Sequence, residues 1–157
     1  MKPTLYLMVG LPCSGKTTRA KELEQSERAL LLSPDAWQQK LFGGEFEPGE
    51  RHDALHTSIE QIMWDVAERA LSLGVSVILD FGFWAREERE EFRVRARRLG
   101  VGFRIHYMDV PKEKLFRRLE RRNADPGKGS FAIPPECLEE WSQLFEPPDA
   151  DEIMADR

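Results

Sequence analysis

The chain has 157 residues, 41% apolar and 32% charged, enough for one domain to bury a core. No apolar run approaches the ~20 residues that would span a bilayer, so no membrane partner is expected. The net charge of −5 is uneven: Arg86 to Arg122 carries 13 Lys and Arg against 7 Asp and Glu, a balance of +6 that leaves −11 for the remainder. A local basic region on an acidic chain suits a nucleotide or another anionic substrate and speaks against a protein that coats long nucleic acid. Cys13 and Cys137 have no metal-site spacing and read as free thiols in a reducing, cytoplasmic compartment. The short apolar run ending at Gly10 does not read as a signal peptide.

In chain order, "TLYLMV" reads as a buried strand, and "GKTTRAKELEQS" as a helix that starts inside a glycine loop. "ALLL" (Ala29 to Leu32) is a second short strand. "PDAWQQKLF" is helical with Pro34 in its first turn, and "GGEFEPGE" (Gly43 to Glu50) is a loop. Arg51 to Leu73 reads as a long amphipathic helix with Leu55, Ile59, Ile62, Met63, Val66, Ala70 and Leu73 on one face, closed by Gly74. "VSVILDF" is a third strand, "AREEREEFRVRARRLG" a helix and "GFRIHYMDV" a fourth strand. "PKEKLFRRLERRN" is a helix with Pro111 at its start, "ADPGKGS" (Ala124 to Ser130) a loop, and "PPECLEEWSQLF" a last helix. The acidic tail, 147–157, has room for at most a short edge strand at Glu152 to Ala155. There is no internal repeat and no dividing linker, so 1–157 reads as one domain. Alternating strands and helices predict an α/β fold with a mostly parallel sheet and helices on both faces. Ligands of such sheets sit at the carboxyl ends of the strands. Gly10 to Thr17, Asp35, Asp80 and Asp109 all fall there.

Gly10 to Thr17 spells G-x-x-x-x-G-K-T between a strand and a helix, the phosphate-binding loop. Average composition makes a chance match about half a percent over this chain. The motif assigns nucleotide contacts to Gly10, Cys13, Ser14, Gly15, Lys16, Thr17 and Thr18, with Cys13 at a variable position. Lys16 reaches the β- and γ-phosphates and Thr17 binds Mg²⁺. Asp80, ending a buried strand, stands where an acid would hold Mg²⁺ or its water; a solvated strand end is the alternative. Asp35 admits two readings, a chemical one and a first-turn acid favoured by the helix dipole. Arg117, Arg118, Arg121 and Arg122 either reach the γ-phosphate or form a solvated basic face. His52 and His56 have the i, i+4 spacing of a zinc helix, but no third ligand is evident, so helix surface or pocket wall is the better reading. Phe81, Phe83 and Trp84 stack on a ring or pack in the core.

With "GLPCSGKTT", "LSPDAW", "VILDFGFW", "YMDVPKEKLFRRLERRN" and "IPPECLEEWSQLFEPPDADE", the chain resembles small P-loop kinases of the polynucleotide kinase and zeta-toxin type, the AAA-domain predicted-kinase group, from about Leu5 to Phe145. The resemblance implies a three-layer, nucleoside-monophosphate-kinase-like P-loop NTPase fold. It also implies an ATP- and Mg²⁺-dependent kinase that transfers the γ-phosphate to a hydroxyl. The same resemblance makes Asp35 the general base toward the acceptor and Arg118 and Arg122 catalytic lid arginines within about 117–134. Polynucleotide kinases carry arginines beside that Asp; here Ser33, Pro34, Ala36, Trp37 and Gln38 stand there. A small-molecule or nucleotide-like acceptor is therefore expected first, and nucleic acid only at a 5′-hydroxyl end. A switch or ATPase without acceptor is the remaining class, although neither N-K-x-D nor L-S-G-G-Q occurs.

Overall fold

The computed structural model describes residues 1–43, 49–125 and 132–154. The elements run β1 (Thr4–Val9), α1 (Lys16–Glu27), β2 (Leu30–Leu32), α2 (Pro34–Phe42), α3 (Glu50–Ser72), β3 (Val77–Gly82), α4 (Arg86–Leu99), β4 (Gly102–Tyr107), α5 (Lys112–Ala124), α6 (Pro135–Leu144) and α7 (Ala150–Met154). Among the described residues the strands form one sheet in the order β2-β3-β1-β4, every pair parallel. A parallel sheet needs a crossover between neighbours, and the helices supply it.

Alternate residues of the central strands face opposite layers. Leu5, Leu7, Val77 and Leu79 pack with Ile59, Met63, Ala67 and Leu71 of α3 and Phe92 and Ala96 of α4. Tyr6, Met8 and Ile78 point the other way, against Ala20 and Leu23 of α1. A third cluster, Leu11, Leu115, Leu119, Ile133 and Leu138, fastens α5 and α6 beside the phosphate loop. The expected α/β, three-layer P-loop fold is thus the one observed. No described helix is long and apolar enough to cross a membrane.

Two expectations are corrected. The buried line of α3 is Ile59, Met63, Ala67 and Leu71, while Ile62 (54% exposed) and Leu73 (65%) look outward. Ala67 and Leu71, outside the expected stripe, are buried in the place of Val66 and Leu73. The tail makes no edge strand at Glu152 and Ile153; it forms α7, and Ala155 lies outside the described residues. Asp149 Oδ1 accepts the Glu152 amide hydrogen at 2.7 Å, a side-chain cap that favours helix over strand. Gly74, in the left-handed region at φ +86°, ends α3 as expected, and the Val75 amide donates back to the Ala70 carbonyl.

Candidate functional site

The carboxyl edge of the sheet carries the phosphate loop between β1 and α1. Gly10 is required by close approach, since a Cβ there would lie 2.7 Å from Ser14 Oγ and 3.3 Å from Met108 Cβ. Gly15, at φ +90°, is the N-cap of α1 in a conformation few side chains adopt. The loop is braced from behind. Gly10 donates its amide to the Gly82 carbonyl at 3.1 Å, and its own carbonyl accepts from Trp84 Nε1 at 3.3 Å. Ser14 is buried, and its Oγ has no protein partner. A buried hydroxyl is seldom left unpaired unless a ligand or water completes it.

Asp80 lies within β3, two residues before its end at Gly82, at 9% exposure. Thr17 Oγ1 donates to its Oδ2 at 2.9 Å, and Ser33 Oγ to the same oxygen at 3.2 Å. Asp80 Oδ1 is buried with no partner. Ser33 was missed as a site residue. It is the N-cap residue of α2, but its hydroxyl does not cap the helix and turns instead to Asp80. The signal available was position: a serine just past β2, at the edge where β3 delivers Asp80.

The loop stands between two clefts. One, of about 470 Å³, is lined by Cys13 to Thr18 together with Ser33, Asp35, Trp37, Asp80 and Arg122. The other, of about 550 Å³, lies between Thr18, Arg19, Met108, Arg118 and Arg122. Asp35, in the first turn of α2, is 61% exposed and places Oδ1 3.7 Å from His56 Nδ1. His56 Nδ1 is also 3.3 Å from Gln38 Oε1, and its Nε2 is 2.7 Å from Glu60 Oε1. Burial pulls the His56 pKa down. The hydrogen bond to Glu60 and the charges of Glu60, Asp35 and Asp53 outweigh it, so His56 stands above its ordinary value. Nearby on α4, burial and the charges of Glu60 and Glu91 push the Glu88 pKa up to about 7.

The four arginines of α5 separate. Arg118 Nη1 donates to the Cys13 carbonyl at 3.0 Å, and Arg122 Nη1 lies 3.7 Å from Cys13 Sγ with its Nε buried and unpaired. Arg117 and Arg121 are exposed, so the solvated reading holds for them. Cys13 itself sits in the left-handed region at φ +67°. The expected lid loop falls largely on 126–131, outside the described residues. The segment's near flank is tied to its far one: the Asn123 side chain donates to the Ile133 carbonyl and accepts its amide hydrogen, at 2.7 and 2.9 Å.

His52 and His56 stack at 6.2 Å, and among the described residues no group of three or more His, Cys, Asp and Glu could hold a metal. His56 lines neither cleft and meets the first through its contact with Asp35. Phe81 and Phe83 stack on each other and both pack edge-on against Phe92, while Trp84 tilts onto Trp141. The core reading of these aromatics therefore stands. Asp109 is exposed and accepts from the Tyr107 hydroxyl at 3.4 Å, away from the loop.

A family model described as "AAA domain" matches residues 5–148. A comparison with curated proteins finds no match. Among solved structures, a candidate kinase from Chloroflexus aurantiacus aligns with a TM-score of 0.74 at 20% identity, over 95% of this chain and 83% of that one. A chain of the Pnkp1/Rnl/Hen1 RNA repair complex aligns at 0.73 and 21%, over 91% of this chain but 44% of that one. Chaetomium thermophilum Kti12, solved with ADP-AlF3, aligns at 0.66 and 20%, over 92% and 81%. At these identities the likeness is one of fold.

Proposed function

The chain belongs to this AAA-domain family, and from that premise we propose that it is an ATP- and Mg²⁺-dependent kinase that phosphorylates a hydroxyl of a small-molecule or nucleotide-like acceptor. The observation that carries the reading is Asp80. One of its oxygens gathers the Thr17 and Ser33 hydroxyls, the other is buried and unpaired, and Asp35 lines the same cleft. An oxygen-only set with one carboxylate and a spare lone pair suits Mg²⁺, which keeps several waters and needs few protein ligands. Thr17 and Asp80 would hold it. When bound, Mg²⁺ neutralises charge on the β- and γ-phosphates.

The residues then divide the work. The loop amides at the start of α1, Lys16 and the unpaired Ser14 hydroxyl grip the phosphates. Asp35 accepts the proton of the acceptor hydroxyl as its oxygen bonds to the γ-phosphorus. The bond from that phosphorus to the bridging oxygen breaks, and ADP leaves with the electron pair. Arg118 and Arg122, already against the loop at Cys13, offset charge on the transferring group. Most of the acceleration comes from positioning and electrostatics. On this reading 1–157 is one kinase domain whose lid spans about 117–134.

A small acceptor is favoured because the residues after Asp35 are Ala36, Trp37 and Gln38, with no arginine to receive an acceptor phosphate. The test is transfer of labelled phosphate from ATP across a panel of metabolites and 5′-hydroxyl oligonucleotides. The reading requires an acceptor that raises turnover well above hydrolysis, and Asp35→Asn must abolish that increase. Turnover that no acceptor raises would point to an ATPase or switch.

A further inference from the structure

His56 is held on both ring nitrogens. Gln38, 3% exposed, donates its Nε2 to the His52 carbonyl at 3.4 Å, which leaves its Oε1 as the atom facing His56 Nδ1 at 3.3 Å. The Asp35 carboxylate lies 3.7 Å from that same nitrogen. On the far side of the ring, Nε2 meets the Glu60 carboxylate at 2.7 Å. Both nitrogens face acceptors, and only the imidazolium has a proton for each. We propose that His56, as the imidazolium, is a positioning residue for Asp35: it anchors Oδ1 and leaves Oδ2 to take the acceptor's proton.

The inference rests on the kinase reading and adds a residue to it. Asp35 is exposed and begins a helix, so nothing covalent fixes its rotamer. A cation at ion-pair distance does so. The charged and titratable groups facing His56 are Asp35 of α2, His52, Asp53 and Glu60 of α3, and Glu88 of α4. All but the stacked His52 ring are carboxyl groups, and Glu60, Asp35 and Asp53 raise the His56 pKa above that of a free histidine. As pH rises through its raised pKa the ring loses a proton. One nitrogen then faces an acceptor with nothing to donate, and Asp35 loses its anchor. Turnover therefore falls on the alkaline side.

Two measurements decide it. The first needs no turnover: ¹⁵N-detected imidazole titration, with the His56 signal assigned through His56→Gln. A midpoint above 6.5 is expected, moved down by Asp35→Asn and further by Glu60→Gln. A midpoint at or below 6.5, or one that Asp35→Asn leaves in place, overturns the proposal. The second is the pH profile of Mg·ATP hydrolysis with water as acceptor. His56→Gln should lower kcat roughly tenfold, against the ~100-fold that a 1 Å misplacement can cost. It should leave the KM for ATP within about twofold and remove the alkaline fall. Glu60→Gln, a milder change at a partly exposed residue, should shift that fall to lower pH. A His56→Gln enzyme that keeps the wild-type profile overturns the proposal. If the wild type turns over no ATP with water or with any acceptor of the panel, the kinase reading fails, and the titration alone decides the His56–Asp35 coupling.

Discussion

The tail is held by one buried ion pair, and cutting it should be costly. Arg89 is 1% exposed. Its Nε and Nη2 donate to the two oxygens of Glu152 at 2.5 and 3.2 Å, and its Nη1 donates to the carbonyls of Phe83 and Trp84 at 2.8 and 3.2 Å. Glu152→Ala removes the carboxylate and strands the guanidinium. Breaking a buried pair from one side costs about 3–5 kcal/mol. Two carbonyls still accept from Arg89, so the lower end applies, about 3 kcal/mol. For a chain of this size that lowers Tm by roughly 6–12 °C. Glu152→Gln keeps an oxygen acceptor and should cost about half as much. Urea unfolding at pH 7 with an unchanged m-value measures both. A loss under about 1 kcal/mol for Glu152→Ala, or an alanine variant no weaker than the glutamine one, would refute the argument.

Lys16→Ala should leave a folded protein without transfer activity and with most of its ATP affinity gone; calorimetry showing wild-type affinity would remove the phosphate-loop assignment. Asp35→Asn should abolish transfer yet keep Mg·ATP binding, whereas Asp80→Asn should shift the Mg²⁺ dependence; the opposite pattern exchanges their roles. Arg122→Lys should reduce turnover more than nucleotide affinity, because a lysine cannot supply the two-pronged contact of a guanidinium; equal losses in kcat and affinity count against a transition-state role. Glu88, whose pKa is raised from 4.5 to about 7, holds more protons folded than unfolded across that window. Stability should therefore fall as pH climbs from about 4.5 to 7 on its account. Glu88→Gln should flatten that slope in denaturation curves, and an unchanged slope argues against the shift.

The parts of the fold written locally were legible. The phosphate loop, the four strands and the Pro34 and Gly74 boundaries follow from glycine and proline conformations and from apolar runs. What escaped depends on contacts distant in sequence. Asp149 capping its own helix could have been read from an acid three residues before Glu152, yet the burial of Glu152 depends on Arg89, 63 positions away. The buried line of α3 shares Ile59 and Met63 with the expected stripe but runs on through Ala67 and Leu71 instead of Val66, Ala70 and Leu73, because periodicity gives a face only to within about a residue and the sheet behind it sets the rest. In the site, Lys16, Thr17, Asp80 and Asp35 stood out by type and position. Ser33 did not, and His56 stood out only by its spacing from His52, since the significance of each is a partner on another strand or helix.

The geometry also predicts which functions separate. On the proposed reading the nucleotide side of the loop rests on strands: Gly10 is hydrogen-bonded to Gly82 and Trp84, whose carbonyl accepts a hydrogen bond from Arg89, which Glu152 holds in turn. The proposed acceptor side rests on α2 and α3, joined at the site through Gln38, His52 and His56. Asp80 is the group common to both, through Thr17 on one flank and Ser33 on the other. Lesions at Trp84, Arg89 or Glu152 should therefore weaken ATP binding with or without acceptor. Those at Gln38 or His56 should slow transfer with ATP binding intact, and only at Asp80 should the two defects arrive together. A Glu152→Ala protein that still folds but binds ATP as the wild type does would break the chain of contacts from tail to phosphate loop at its first link.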